Sequence, residues 1–444
     1  MTDRLVVIGG GAAGMSAASS ARRFDGDLEI VVAEASGFAA WGLCGIPYYV
    51  AGLVSDPLDL VSVPPDDFRT KRGIDLRLHT RVVSIDASDQ RVTLRSAAGD
   101  DAITYTTLIV AAGASPALPP IPGVDGPGVH TVRTLEGAIT LREDVISGAV
   151  RSVLVVGGGY IGLEMADALT EAGCRVTVVE AADRVMPNLD PDAAARVEAE
   201  VSSHCELLTG IGLTGWDGST AALSDGSVRT FDAVVMAVGI RPGGGLAANA
   251  GASTHSNGAL EVDDRMRTSL PNVFAAGDCA AVHHLVLGAP AHIALGPTAN
   301  KTGRVAGIVA AGGDARFGGM VGTAVAKIFD LTVARTGLTL SESRVAGLEA
   351  MASDSTAGSR AKYYPGAAPT WTRLVHEPGG RLLGAQMIST DPATAKRIDV
   401  VATALHAGFD VDDLGALDLS YAPPYAPVYD PILRAAQAAT KQPA

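Results

Sequence analysis

The sequence predicts an α/β protein: two doubly wound, parallel-sheet units followed by a smaller α+β domain. Three observations predict it. Residues 5–34 run strand, glycine turn, small-residue helix, strand, acid; residues 152–180 repeat that order; and a short apolar run closed by Gly-Asp lies at 268–278. The chain has 444 residues, more than one hydrophobic core ordinarily holds, so several domains are expected. Hydrophobic residues make up 47% and charged residues 18%, a globular balance.

In the first unit Leu5-Val6-Val7-Ile8 reads as a buried strand, Gly9-Gly10-Gly11-Ala12-Ala13-Gly14 as a turn, and the alanine-rich stretch to Arg23 as a helix. A strand from Leu28 to Ala33 follows and ends at Glu34, 20 residues after Gly14. This is the GxGxxG pattern of a Rossmann-like dinucleotide-binding domain, in its strand–turn–helix–strand context. Gly9 permits the tight turn, Gly11 lets a pyrophosphate reach the backbone, and Gly14 lets the helix lie close on the strand. The helix N-terminus then faces the phosphates, and Glu34 accepts from a ribose diol.

The second unit has a strand over Ser152–Val156, the turn Gly157-Gly158-Gly159-Tyr160-Ile161-Gly162, a helix to about Ala172, and a strand from Arg175 ending at Glu180. One such turn is a weak sign, because small-residue turns before helices are common. Two complete units, each ending in an acid, are a strong one. The alternative is a pair of purely structural turns.

Asp and Glu number 48 against 34 Lys and Arg, a net charge of −14. That argues against a nucleic-acid partner or an anionic membrane surface, while helix N-termini can still hold phosphates locally. Four cysteines, none in a CxxC pair, make neither a disulfide framework nor a zinc site, and no metal is expected. The N-terminus lacks the apolar stretch and cleavage site of a signal peptide. No apolar run reaches the roughly 18–20 residues of a spanning helix. A soluble, cytoplasmic protein is expected.

With the run Thr268-Ser269-Leu270-Pro271-Asn272-Val273-Phe274-Ala275-Ala276-Gly277-Asp278 as the third element, the chain resembles the pyridine-nucleotide disulfide oxidoreductases, which are two-dinucleotide flavoproteins. Leu108-Ile109-Val110-Ala111-Ala112-Gly113-Ala114 is similar to the family's crossing out of its first unit, with Ala112 where Thr or Ser is usual. Val234-Val235-Met236-Ala237-Val238-Gly239-Ile240-Arg241-Pro242 is similar to the crossing back, with Gly243 in place of the common Asn.

The resemblance implies an FAD-binding domain at residues 1–114 and 240–315. Gly9, Gly11, Gly14, Glu34, Ala112, Gly113, Gly277 and Asp278 would line it, with Asp278 on the flavin ribityl chain. It implies an inserted NAD(P)H-binding domain at 115–239, contacted through Gly157, Gly159, Tyr160, Gly162 and Glu180, and a C-terminal dimerisation domain at 316–444. Glu180 repels a ribose 2′-phosphate and so favours NADH. Arg184, four residues on, can swing to such a phosphate, which keeps NADPH open. In relatives a Tyr at the place of Tyr160 covers the flavin face until nicotinamide displaces it; the alternative is an apolar residue at a helix start.

Of the four cysteines only Cys44 has an unusual setting, Ala40-Trp41-Gly42-Leu43-Cys44-Gly45-Ile46-Pro47-Tyr48-Tyr49. It falls where the first unit should begin a helix under the flavin ring, and a helix N-terminus would favour the thiolate. Cys174, Cys205 and Cys279 read as small buried residues. Two-cysteine reductases carry a partner cysteine five positions on; that position is Tyr49. Oxidised Cys44 must then be a mixed disulfide, a sulfenic acid or a persulfide. The alternative is a packed structural thiol.

The stretch resembles the family's single-cysteine branch: coenzyme A disulfide reductases, persulfide reductases, NADH oxidases and NADH peroxidases. Ala299-Asn300-Lys301-Thr302-Gly303-Arg304, Tyr363-Tyr364-Pro365-Gly366 and Tyr421-Ala422-Pro423-Pro424-Tyr425 look like that branch too. Peroxidases and many oxidases carry a His in the first glycine turn, and Gly9–Gly14 has none. The C-terminal His-Glu pair of two-cysteine reductases is also missing. In the coenzyme A disulfide reductases two tyrosines reach the cysteine across a homodimer, which implies Tyr363 and Tyr421 here; the alternative is that they pack the dimer interface. Similar positions to Arg22 and Arg23, and to Arg69, Lys71 and Arg72, contact the phosphate end of coenzyme A in relatives. Ordinary solvated charges are the alternative, and Arg22 and Lys71 are carried forward as substrate-binding residues. Ala40-Trp41, where the branch usually has Ser-Phe, alters the thiol pocket. The implied activity is FAD-dependent NAD(P)H reduction of a low-molecular-weight disulfide, with coenzyme A disulfide as the type. An NAD(P)H oxidase, a persulfide reductase and a flavin-binding redox sensor remain the alternatives.

Overall fold

The computed structural model describes residues 3–441; Met1, Thr2 and Gln442–Ala444, at the outer ends of the expected first and third domains, lie outside them. Strand β1 (Arg4–Ile8) is buried from Leu5 onward, as a central parallel strand with both faces covered must be. It leads into helix α1 (Ala12–Phe24) and returns as β2 (Glu29–Ala33), parallel to β1 with Leu5 opposite Ile30. Strands at 107–110, 273–275 and 75–77 complete a five-stranded parallel sheet in the order 273–275, 107–110, β1, β2, 75–77. The run that ends in Gly277-Asp278 thus rejoins the first sheet from far along the chain. A five-residue helix, α2 (Ile46–Val50), follows β2.

The second unit repeats the design. Strand β3 (Ser152–Val156), helix α3 (Tyr160–Glu171) and β4 (Arg175–Glu180) sit in a parallel sheet ordered 206–209, β4, β3, 233–236, 129–131. Each unit also carries a three-stranded antiparallel meander, at 81–104 and at 213–230. The two crossings meet: Ala114–Pro116 pairs antiparallel with Ile240–Pro242.

Helix Gly296–Ala310 lies against α1 at a distance only glycine allows. A Cβ on Gly303 would stand 2.2 Å from the Ala13 carbonyl oxygen, and one on Gly307 2.1 Å from that of Ala17. Beyond it a five-stranded antiparallel sheet, ordered 324–328, 331–337, 382–389, 369–376, 351–358, is packed by helices α4 (Thr394–Ala407) and α5 (Pro431–Ala439). This is the α+β part. No helix among the described residues is long and apolar enough to cross a membrane.

The second unit and the C-terminal sheet are joined by a buried polar network. Asp190, 1% exposed, accepts from the Leu340 and Ser341 amides, the Ser341 hydroxyl and the Gln386 amide, and its own N–H donates to Gln386. Arg373 lies 3.6 Å from the same carboxylate and also pairs with Asp192 and Asp354. A carboxylate this buried persists only with its valence filled.

Candidate active site

The two glycine turns are near copies. Gly9 has φ +103° and Gly157 φ +111°, and a Cβ on them would strike the carbonyl oxygens of Ala111 and Ala237 at 2.3 and 2.4 Å. Gly14 and Gly162 each press to within 1.9 Å, Cβ to oxygen, of the first glycine of their turn. Gly11 and Gly159, by contrast, face open space. They cap α1 and α3 with no side-chain hydrogen bond and no acid in the first turn. The positive end of each helix therefore points, unneutralised, into the open space beside Gly11 and Gly159, which fits a pyrophosphate.

The two acids also match. Glu34 accepts from the Gly10 amide at 2.6 Å and from the Ser36 amide and hydroxyl, both at 2.7 Å. Glu180 accepts from the Gly158 amide at 2.7 Å and the Ala182 amide at 2.8 Å. Each carboxylate is drawn against its own glycine turn, where a ribose diol would lie. Ala112 is exposed beside Gly113 at the end of the 107–110 strand. The Gly277 amide donates to Thr302 at 3.1 Å, and Asp278 faces Arg133 at 3.8 Å.

Arg133 carries no motif signal in the sequence. The carboxylates of Asp278 and Glu34 both act on it, and a Cβ on Gly113 would touch its guanidinium at 2.6 Å. A cation thus stands among three positions expected to line the first nucleotide site.

Cys44 lies in the 3₁₀ turn Leu43–Gly45 that precedes α2. It is exposed, whereas Cys174 and Cys279 are buried and Cys205 is half-buried; all four are free thiols. Tyr49, in the place of a partner cysteine, is 5% exposed beneath the Arg142 guanidinium, 4.3 Å from its ring centre. The segment packs on the second unit rather than the first: Ile46, Tyr49 and Val50 share a core with Leu163 and Met165 of α3. That placement sets Cys44 between the two units.

The expectation of a helix-stabilised thiolate is corrected by these surroundings. Dense neighbouring protein pushes the Cys44 thiol up even though part of its surface meets solvent, and the Glu164 and Asp278 carboxylates push it further. A helix of five residues starting two positions later is too slight to outweigh them. Glu164 is itself shifted, to about 7, by burial and then by Asp167. It sits four residues after Tyr160 on α3, hence on the same helix face; that spacing was the available signal. Tyr160 is pushed up to about 12 by burial.

The structure brings Tyr363 and Tyr421 together. A hydrogen bond with Tyr421 raises the Tyr363 phenol, and both rings are exposed, at 76% and 49%. Among the described residues no hydrogen bond links either to Cys44 of the same chain. Arg22 spends its terminal nitrogens on the carbonyls of Asp25, Gly26, Leu28 and Gly73; in this arrangement it is a backbone clamp. Lys71 is exposed and, among the described residues, pairs only with Asp67, at 2.8 Å. Arg72 lies over Phe68 and donates to Ser19, Arg69 to the Leu76 carbonyl, and Arg23 to Ser20.

Two family models together match most of the chain. The family model described as pyridine nucleotide-disulphide oxidoreductase matches residues 3–303, and that of the family's dimerisation domain matches 323–431. An NAD(P)H coenzyme A polysulfide/persulfide reductase of Pyrococcus horikoshii is 38% identical over 439 residues, covering 98% of this chain and 97% of its own. A coenzyme A disulfide reductase of Staphylococcus haemolyticus is 27% identical over 427 residues, covering 95% and 96%. The solved structure of an NAD-dependent persulfide reductase from A. fulgidus superposes with a TM-score of 0.95 at 38% identity, covering 98% of this chain and 83% of that one.

Proposed function

The chain belongs to the pyridine nucleotide-disulphide oxidoreductase family, and from that premise we propose that it reduces a coenzyme A-linked disulfide through Cys44. Membership makes it an FAD-dependent NAD(P)H oxidoreductase. One observation carries the narrower reading: Cys44 is an exposed free thiol between the two dinucleotide units, with a buried tyrosine where a second cysteine would close an internal disulfide. The partner sulfur must then come from the substrate.

FAD, which the first glycine turn with Glu34 and Asp278 would hold, would supply two-electron transfer between a nicotinamide and a sulfur when bound. We assign the two glycine turns to the two pyrophosphates, and Glu34 and Glu180 to the riboses, with Glu180 favouring NADH. Cys44, as thiolate, attacks the disulfide, forms a mixed disulfide and expels one thiolate. Tyr363 and Tyr421 of the partner subunit in a homodimer hydrogen-bond that thiolate or protonate it, weakly, since a phenol titrates near 10 without tuning. In net terms one NADH, one proton and one disulfide give NAD⁺ and two thiols. Lys71 is the readier phosphate anchor, because Arg22 would first have to release backbone carbonyls.

A coenzyme A persulfide is the second reading, favoured by the 38% identity to the Pyrococcus horikoshii enzyme. NADH consumption with coenzyme A disulfide, other small disulfides, a persulfide, peroxide and oxygen alone separates these. Fast turnover with oxygen alone would sink the disulfide reading. A reversible Cys44 modification with no turnover on any acceptor would replace it with a redox sensor. Intact mass before and after reduction identifies any thiol held on Cys44.

A further inference from the structure

We infer that Arg397 is a positioning residue that holds Tyr363 and Tyr421 as one unit; this rests on the proposed role of those tyrosines. Arg397 lies on α4, 8% exposed, and its side chain joins three separate segments. Its Nε donates to Asp430 at 2.8 Å, and its Nη2 to the carbonyls of Ser359 at 2.6 Å and Tyr425 at 3.1 Å. Ser359 precedes Tyr363 by four residues, and Tyr425 follows Tyr421 by four. One planar guanidinium therefore ties the backbone on the far side of each tyrosine to the other. Asp430 in turn accepts from the Ile432 amide at the start of α5, so the clamp is anchored at both ends in regular structure.

Little else fastens these loops to each other. The Ala361 amide reaches the Pro423 carbonyl at 3.3 Å, and the tyrosine pair itself is at the surface. Arg360 holds the first loop from another side through Asp391, at 2.6 Å, and among the described residues makes no hydrogen bond to the second. The third nitrogen of Arg397, Nη1, is buried without a hydrogen-bond partner among the described residues. A partly unpaired buried cation is expensive to keep, and what this position needs is the fork. Lysine would supply the charge for Asp430 but not fixed donors for two further carbonyls.

The discriminating variant is therefore Arg397→Lys, which leaves Asp430 a cationic neighbour; Arg397→Met is the harsher companion. FAD content and dimer state are measured first. NADH reduction of the flavin and reoxidation of the reduced enzyme are then followed separately, the latter with coenzyme A disulfide or the persulfide, whichever the unaltered protein turns over. We expect Arg397→Lys to slow reoxidation by about 10- to 100-fold, the scale of an ångström-level misplacement, with flavin reduction unchanged. Tyr363→Phe/Tyr421→Phe is run beside it. Equal loss in both half-reactions, or loss of FAD, would show a merely structural role and overturn the proposal. Normal reoxidation by Arg397→Lys beside a slow Phe pair would overturn the Arg397 proposal alone. A Phe pair that reoxidises normally would overturn the tyrosine reading and the Arg397 proposal with it.

Discussion

The chemistry of Cys44 is decided by neighbours that lie far away in the chain. Burial and two carboxylates raise its pKa, so the thiolate must be won against its protein surroundings. Glu164, shifted to about 7, is neutral below that pH and charged above it, and its charge pushes the thiol further up. Glu164→Gln removes that charge, so we expect Cys44 to ionise at lower pH and its alkylation rate to rise earlier in a pH titration; an unchanged profile would remove Glu164 from the account. The same substitution bears on stability with a definite sign. A carboxyl whose folded pKa is raised costs nothing below its unfolded value, 4.5, and destabilises progressively as pH rises from there to its folded value of about 7. FAD-free Glu164→Gln protein should therefore gain up to about 3 kcal/mol above pH 7 in denaturant titrations. Cys44→Ser should abolish disulfide turnover with FAD retained, checked by NADH consumption and flavin absorbance; surviving turnover would exclude Cys44.

At the scale of elements, the glycine turns were legible because each residue type answers a local steric demand. Gly9 and Gly157 occupy the same left-handed turn, and Gly14 and Gly162 the same close approach, so pattern and structure coincide. Helix Gly296–Ala310 was legible only as a resemblance. Its reason is the crossing with α1, where Gly303 and Gly307 face the backbone of Ala13 and Ala17. Gly307→Ala places a methyl 2.1 Å from a carbonyl oxygen, and we expect a loss of about 1–3 kcal/mol in thermal unfolding together with weaker FAD retention. The meanders at 81–104 and 213–230 carried no motif. Antiparallel strands half open to solvent need only loose alternation, which does not distinguish them from connecting loops.

At the scale of the molecule, the second unit is fastened to the C-terminal sheet through Asp190, Gln386 and Arg373, while the tyrosine pair stands exposed on the surface. If those tyrosines serve the partner's Cys44, each site draws on two chains. Mixed dimers of Cys44→Ser with Tyr363→Phe/Tyr421→Phe subunits should then regain about half the wild-type activity per dimer, because symmetry puts both lesions in one site and leaves the other intact. Absence of recovery on mixing and reassociation would place the tyrosines outside the partner's site.

The sequence by itself determined the two glycine turns, their acids and the Cys44 segment with no cysteine five positions on, because these depend on residue type and short spacing. Glycine without a Cβ, an acid at a strand end and a tyrosine where a cysteine would pair are visible without coordinates. Only the tertiary structure decided what acts on that cysteine. Glu164 and Asp278 come from elements more than a hundred residues from it, and the thiol pKa is set by charge and burial in space. It also decided that Arg22 is held by backbone carbonyls and that Arg397 binds two tyrosine loops together. Hydrogen bonds of that kind run between residues whose separation in sequence carries no periodic signal.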